Sequence, residues 1–242
     1  MRLNSDSWLL NTPIAHRGLW GNGIVENSLS AYKNAVDNGY PIEIDLYSSA
    51  DGILLSFHDQ DLERMTGQKG LIFEKTSKEL SKLKLIGCDE SIPTFDQVLE
   101  TVDGKVPLLI ELKDQPDKTY VDKAVERLKS YKGEFAIQSF NPLYIKRVKK
   151  LAPCFLRGIL GTKTYSKGLP FIKRKIIQNL CLNFLIKPDF ISYSFEDLPL
   201  KKRKTKNIPL ITWTITSEKD AQKVKTLAKN IIFEHFIPKK YH

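Results

Sequence analysis

Residues 40–46 read Tyr40-Pro41-Ile42-Glu43-Ile44-Asp45-Leu46, an apolar run interrupted by two carboxylates. Side chains alternate faces along a strand, so Glu43 and Asp45 share one face, while Ile42, Ile44 and Leu46 share the other. A short, nearly continuous apolar run just after Gly39 and Pro41 is the pattern of a parallel strand buried on both faces. Two acids inside such a strand are costly unless something compensates them.

Similar runs recur along the chain at 13–15, 106–111, 134–139, 154–159, 190–193, 210–214 and 230–233, which makes eight strands with 42–46. Amphipathic stretches separate them. Asn27-Ser28 can cap a helix reaching about Asn38, and 121–131 carries Val121, Ala124, Val125 and Leu128 on one stripe. Asn141-Pro142 opens another helix, and Ser217 caps one running to about Lys229. The crossover at 51–100 is longer than the rest. Within it, 52–58 reads as an extra strand, and 77–83 and 94–101 as short helices. Eight βα units in 242 residues, with no linker or repeat, predict one (β/α)8 TIM barrel domain over 1–242 with a small insertion after the second strand. A doubly wound open sheet is the competing topology.

Composition agrees with a globular chain: 41% hydrophobic and 27% charged residues exclude a disordered or collagen-like protein. No apolar run approaches the roughly 18 residues of a membrane span. Residues 1–10 are too polar for a secretory leader. Cys88, Cys154 and Cys181 form neither a disulfide framework nor a Cys-x-x-Cys site, so buried, inert thiols and a reducing cytoplasm are expected. The net charge of +10 is uneven. Residues 1–140 hold 16 basic and 22 acidic side chains, and residues 141–242 hold 22 and 6. The second half therefore invites an anionic partner.

Barrel chemistry belongs at the carboxyl ends of strands. There the sequence has His16-Arg17-Gly18, Glu43 with Asp45, His58-Asp59, and Glu111-Leu112-Lys113. Glu111, on the adjacent strand, adds a third carboxylate to the pair at 43 and 45. A hard divalent cation, Mg2+ or Ca2+, would relieve their repulsion; pairing with Arg17 and Lys113 is the alternative. Three carboxylates, one such ion and those two cations leave one positive charge, which a phosphodiester would neutralise. His16 and His58 could serve as base and acid for displacement at phosphorus. His235 and His242 have no comparable neighbours.

The ordered runs Ala15-His16-Arg17-Gly18, Glu26-Asn27-Ser28, Glu43-Ile44-Asp45, Asp51-Gly52, His58-Asp59 with Leu62, Arg64 and Thr66, and Glu111-Leu112-Lys113 resemble the glycerophosphodiester phosphodiesterase family. The likeness extends through Ile92-Pro93-Thr94, Gln138-Ser139-Phe140-Asn141 and Trp213-Thr214. It implies a TIM barrel that hydrolyses glycerophosphodiesters to glycerol 3-phosphate and an alcohol with a divalent metal, Mg2+ or Ca2+. By matching position, the metal ligands would be Glu43, Asp45 and Glu111, and His16 and His58 the base and acid. Arg17 and Lys113 would hold the phosphate, with Trp213 against the substrate or filling the barrel. The nucleophile would be water or the substrate's own 2-hydroxyl. Val25 and Ser28 depart from the family's Pro-Glu-Asn-Thr. At the chain's end Phe233-Glu234 stands where Thr-Asp is usual, which gives Glu234 a rim role.

The stretch 168–187 places Lys173, Arg174 and Lys175 among Phe171, Ile172, Ile176, Ile177 and Phe184. It can pack its apolar face on the barrel or lie peripherally on an anionic membrane. The run Lys201-Lys202-Arg203-Lys204 and Lys206 lacks interleaved aromatics, so no nucleic-acid partner is expected. The competing activities are phospholipase-type cleavage of lysophospholipids on the same barrel and an inactive barrel that binds anionic lipid.

Overall fold

A computed structural model describes residues 3–164, 169–201, 205 and 207–238. Met1, Arg2, Gly168, Lys202, Arg203, Lys204, Lys206 and His242 lie outside them. The strands are β1 (Ile14–Ala15), β2 (Ile42–Ser48), β3 (Leu54–Ser56), β4 (Leu108–Leu112), β5 (Phe135–Ser139), β6 (Leu156–Gly161), β7 (Phe190–Ser194), β8 (Leu210–Ile215) and β9 (Asn230–Phe233). Their order in the sheet is β1-β9-β8-β7-β6-β5-β4-β2-β3, and β1 also pairs with β2. That closed order is a (β/α)8 TIM barrel with β3 as the extra strand, and it rules out the open sheet, which would leave two free edges.

Residues 15–134 form one compact unit. All seven residues of β2 are buried, and it pairs in parallel with β4 so that Asp45 stands opposite Glu111. Strand β3 runs antiparallel to β2, Leu46 opposite Ser56, so the insertion is tied to the carboxyl end of β2. The insertion packs Leu55, Phe57, Leu62, Ile72, Leu80, Leu85 and Ile92 against Tyr47 of β2. It also reaches the helix Leu29–Asp37: the Glu90 carboxylate accepts the Leu29 N–H at 2.8 Å, while the N-cap Ser28 Oγ accepts from Ala31. A negative side chain at an N-terminus complements the helix dipole and its unpaired donors. Thr94 and Gln97 form a reciprocal capping box on Phe95–Val102.

Residues 1–14 and 135–242 form the second unit. Its strands β5 to β9 are parallel neighbours. Gly158 on β6 is required by close approach, since a Cβ there would lie 2.2 Å from the Phe190 ring. Asp197, just after β7, accepts from Thr162 Oγ1, the Lys163 and Thr164 amides and Thr164 Oγ1, which ties two strand-end loops together. Ser217 caps its helix as expected, but the helix ends at Val224 rather than near Lys229. There the Leu227 and Ala228 amides turn back to Val224 O, and the Lys229 amide already bonds Leu210 O on β8. The thiols are free, but Cys154 and Cys181 are exposed and Cys88 is half-buried, contrary to the expected burial. Cys154 follows the end of one helix and Cys181 sits between two, where the chain turns at the surface. Among the described residues no helix is long and apolar enough to cross a membrane.

Candidate active site

His16, Arg17, Glu43, Asp45, His58, Glu111 and Lys113 all fall within the unit 15–134, whereas Glu234, given a rim role, falls in the other. Strand β1 ends at Ala15 and is followed by His16-Arg17-Gly18. The backbone turns sharply there, with φ of 57° at Arg17 and 86° at Gly18. A Cβ on Gly18 would come within 2.8 Å of the Ala31 side chain, so glycine is needed for both conformation and room. The turn aims the Arg17 amide at Glu43 Oε2, 3.2 Å away.

The three carboxylates predicted as ligands do converge. Glu43, Asp45 and Glu111 are all buried and offer one oxygen each within 4.8 Å of the others. An ion held at about 2.3–2.6 Å from its ligands spans oxygens up to about 5 Å apart, so an all-oxygen set of this size fits a hard divalent cation. The charge balance agrees. Burial, then the neighbouring Asp45 and Glu111, push the Glu43 carboxyl well above the usual carboxylate range against the pull of Arg17 and Lys113. Burial acts on Asp45 too, but Lys113, His58, Arg17 and His16 hold it below that range.

The ion-pair alternative is also realised in part, because Lys113 Nζ lies 3.2 Å from Asp45 Oδ1 and 3.0 Å from Glu111 Oε1. Burial would pull its ammonium down, yet Asp45 and Glu111 raise it, so it stays charged. Its backbone is pinned as well, with the Tyr120 hydroxyl donating to the Lys113 carbonyl. Arg17 reaches Asp45 Oδ2 at 3.6 Å and Glu26 Oε1 at 3.0 Å.

The structure adds a second layer, which the sequence displays only as scattered motif residues. Glu26, buried, accepts from Arg17 Nη1 and from Arg64 Nη2. Arg64 Nε also binds Asp59 Oδ2, and Asp59 Oδ1 lies 2.6 Å from His58 Nδ1. Asp59 is held below the usual range: burial opposes this, but bonds to His58 and Arg64 prevail. The contact with Asp59 engages Nδ1 of His58 and orients its ring. His58 itself follows β3, where the Phe57 amide bonds Asp45 O. Asn27 Nδ2 donates to Asp45 Oδ2, and its Oδ1 accepts from Tyr32 OH, which is 2.5 Å from Ser56 Oγ. Tyr32 and Ser56 went unnoticed in the sequence; a serine in a buried strand position was the available signal. Counting Glu26 and Asp59 with Glu43, Asp45 and Glu111 gives five carboxylates against Arg17, Arg64 and Lys113. The cluster is therefore two charges negative with neutral imidazoles, and a divalent ion brings it to zero. Glu26 and Asp59, less Arg64, thus cancel the single positive charge counted from sequence.

Trp213 belongs to the other unit, on β8, half-buried and edge-on to Phe140 with ring centroids 5.7 Å apart. Glu234 is half-buried beyond β9, its amide bonded to Ile215 O and its carboxylate 3.6 Å from His235 Nε2.

The model of the glycerophosphoryl diester phosphodiesterase family matches residues 16–238. A glycerophosphodiester phosphodiesterase of Caldanaerobacter subterraneus subsp. tengcongensis is 30% identical over 232 residues, covering 87% of this chain and 88% of its own. Glycerophosphodiester phosphodiesterase 1 of Homo sapiens is 24% identical, covering 84% and 71%. Among solved structures, an Oleispira antarctica phosphodiesterase in complex with the product sn-glycerol-3-phosphate superposes with a TM-score of 0.76 at 25% identity, covering 93% of each chain.

Proposed function

The chain belongs to the glycerophosphoryl diester phosphodiesterase family and is a phosphoric diester hydrolase; from that premise we propose that it cleaves glycerophosphodiesters to glycerol 3-phosphate and an alcohol in a metal-dependent reaction. Glu43, Asp45 and Glu111 would hold a divalent cation, Mg2+ or Ca2+. The observation that carries this reading is their convergence, three buried carboxylate oxygens within 4.8 Å, in a cluster short of two positive charges. The product seen with the Oleispira antarctica relative supports the glycerol 3-phosphate half of the substrate. The whole chain acts as one barrel domain. Free thiols at Cys88, Cys154 and Cys181 suit work in a reducing cytoplasm.

A cation held there would supply Lewis-acid withdrawal of charge from phosphoryl oxygens. Arg17 and Lys113 add fixed positive charge for the phosphodiester and for the charge that grows on it in the transition state. The imidazoles of His16 and His58 divide the proton work: one takes the proton of the incoming oxygen and the other supplies one to the departing alkoxide. Asp59 fixes the His58 tautomer, and Arg64 fixes Asp59. Trp213 contacts the substrate from β8.

The test is glycerol 3-phosphate release from several glycerophosphodiesters, with EDTA treatment and metal add-back. Activity should vanish and return. Full activity after rigorous metal removal would overturn the ligand assignment. His16→Ala and His58→Ala should each lower turnover by about 100-fold or more, and a near-normal rate in either removes that residue from the acid–base pair. Trp213→Ala should raise KM; an unchanged KM takes Trp213 out of the substrate contact.

A further inference from the structure

We propose that residues 169–184 form a docking surface for an anionic lipid bilayer. Two observations meet there. Residues 141–188 contain eleven lysines and arginines and not one aspartate or glutamate. Within that stretch, the helix Phe171–Asn179 and the short helix Asn183–Ile186 leave large apolar side chains in solvent: Phe171 is 62% exposed, Ile172 72% and Phe184 71%.

These side chains are not an unfinished core. The same segment already has an inward face, where Ile176, Ile177, Leu180 and Ile186 line a small cavity with Phe140 and Ile159. An amphipathic helix needs only one such stripe. Phe171, Ile172 and Phe184 are additional, and Leu169 beside them is 38% exposed. Isolated surface hydrophobics are ordinary, but four in sixteen residues of an acid-free segment are a concentration.

The cations are placed among them. Arg174 and Lys175 stand 5.6 and 5.4 Å from the centroid of the Phe171 ring, one helical turn on. Lys173 and Lys175 are exposed. At a bilayer, aromatic and aliphatic tips enter the acyl boundary while long basic side chains keep their heads at the lipid phosphates. A soluble polyanion would use the lysines and arginine but gives Ile172 and Phe184 nothing to contact, which is why the bilayer is favoured.

The proposal does not depend on the reaction, because it is tested without substrate. The full chain is sedimented with vesicles of phosphatidylcholine alone and of phosphatidylcholine mixed with phosphatidylglycerol. It should bind the mixed vesicles, lose binding as salt rises, and leave neutral vesicles unbound. Each cation removed should weaken binding about fivefold, the equivalent of about 1 kcal/mol near an anionic surface, so Lys173→Gln with Lys175→Gln should cost about 25-fold. Phe171→Ser with Ile172→Ser should cost at least about tenfold from lost apolar insertion, with the melting temperature unchanged because both sites are exposed. Absence of binding to mixed vesicles at low salt would overturn the proposal. So would full binding by the Phe171/Ile172 variant, or binding to polyphosphate without binding to vesicles.

Discussion

Glutamine at position 43 should stabilise the metal-free protein and at the same time abolish its response to divalent cations. Glu43 is 2% exposed, and one of its oxygens accepts the Arg17 amide, a bond that a glutamine oxygen can keep. The substitution therefore removes charge and little else. Burial and the charges of Asp45 and Glu111 raise its carboxyl well above 4.5. A carboxyl raised in the folded state contributes stability that is present below its unfolded value and lost as pH rises through the folded value. At neutral pH the wild-type chain without metal carries that cost, and Glu43→Gln does not. Each pH unit by which the folded-state carboxyl is raised costs about 1.4 kcal/mol at neutral pH, and in a chain of this size each kcal/mol moves the melting temperature by about 2–4 °C. With metal the order reverses. A cation at 100 times its dissociation constant adds about 2.7 kcal/mol to the wild type and far less to the variant, which has lost a ligand. The assay is thermal unfolding in EDTA and in Mg2+ or Ca2+, from neutral pH down to 4.5. The variant's advantage in EDTA should shrink as pH falls. A variant that melts below the wild type in EDTA across that range, or keeps the full metal-induced shift, refutes the charge balance derived for the cluster.

Arg64→Met should reduce turnover by about 10–100-fold, as loss of an outer-shell partner does, and shift the pH–rate profile through His58. Because Arg64 is half exposed, stability should change by less than about 1 kcal/mol, and Arg64→Lys should rescue poorly because one ammonium cannot bridge Glu26 and Asp59. An unchanged profile would separate Arg64 from His58. Burial raises the Asp197 carboxyl, but the donors of Lys163, Thr162 and Thr164 outweigh it and hold it below 3.8. Its stabilisation is thus present above the unfolded value and lost as pH falls through the folded one, so Asp197→Asn should cost about 1.5–3 kcal/mol at neutral pH and flatten the acid limb of urea midpoints against pH. Gly158→Ala should lose about 1–3 kcal/mol by denaturant unfolding, because the new methyl meets Phe190; a neutral result would contradict the β6–β7 packing.

The strands were legible because a barrel strand buried on both faces writes itself as a short apolar run, and 42–46, 190–193 and 230–233 lie inside or on the observed limits. Glu43 and Asp45 were legible for the opposite reason, as charges where such a run should have none. Their register with Glu111 followed from adjacency. What stayed hidden depends on apposition across loops. Arg64 stands in the sequence only as a motif residue with no partner named; its bridge appears when Glu26 and Asp59 are seen on its two sides. The end of the last helix was misplaced because nothing local marks Val224; the chain leaves the helix to let the Lys229 amide join β8. The exposed Cys154 and Cys181 show that composition-level expectations of burial do not reach individual positions.

The insertion has one more consequence. Three carboxylates and His16 stand on or directly beyond barrel strands, whereas His58 follows β3, on a lobe packed against Tyr47 of β2. The proposed proton-transfer group is thus mounted on the insertion, which β3 joins to β2, while the proposed ligands stand on β2 and β4. Changes of length or packing in that lobe can move His58 by fractions of an ångström while the ligand strands keep their register.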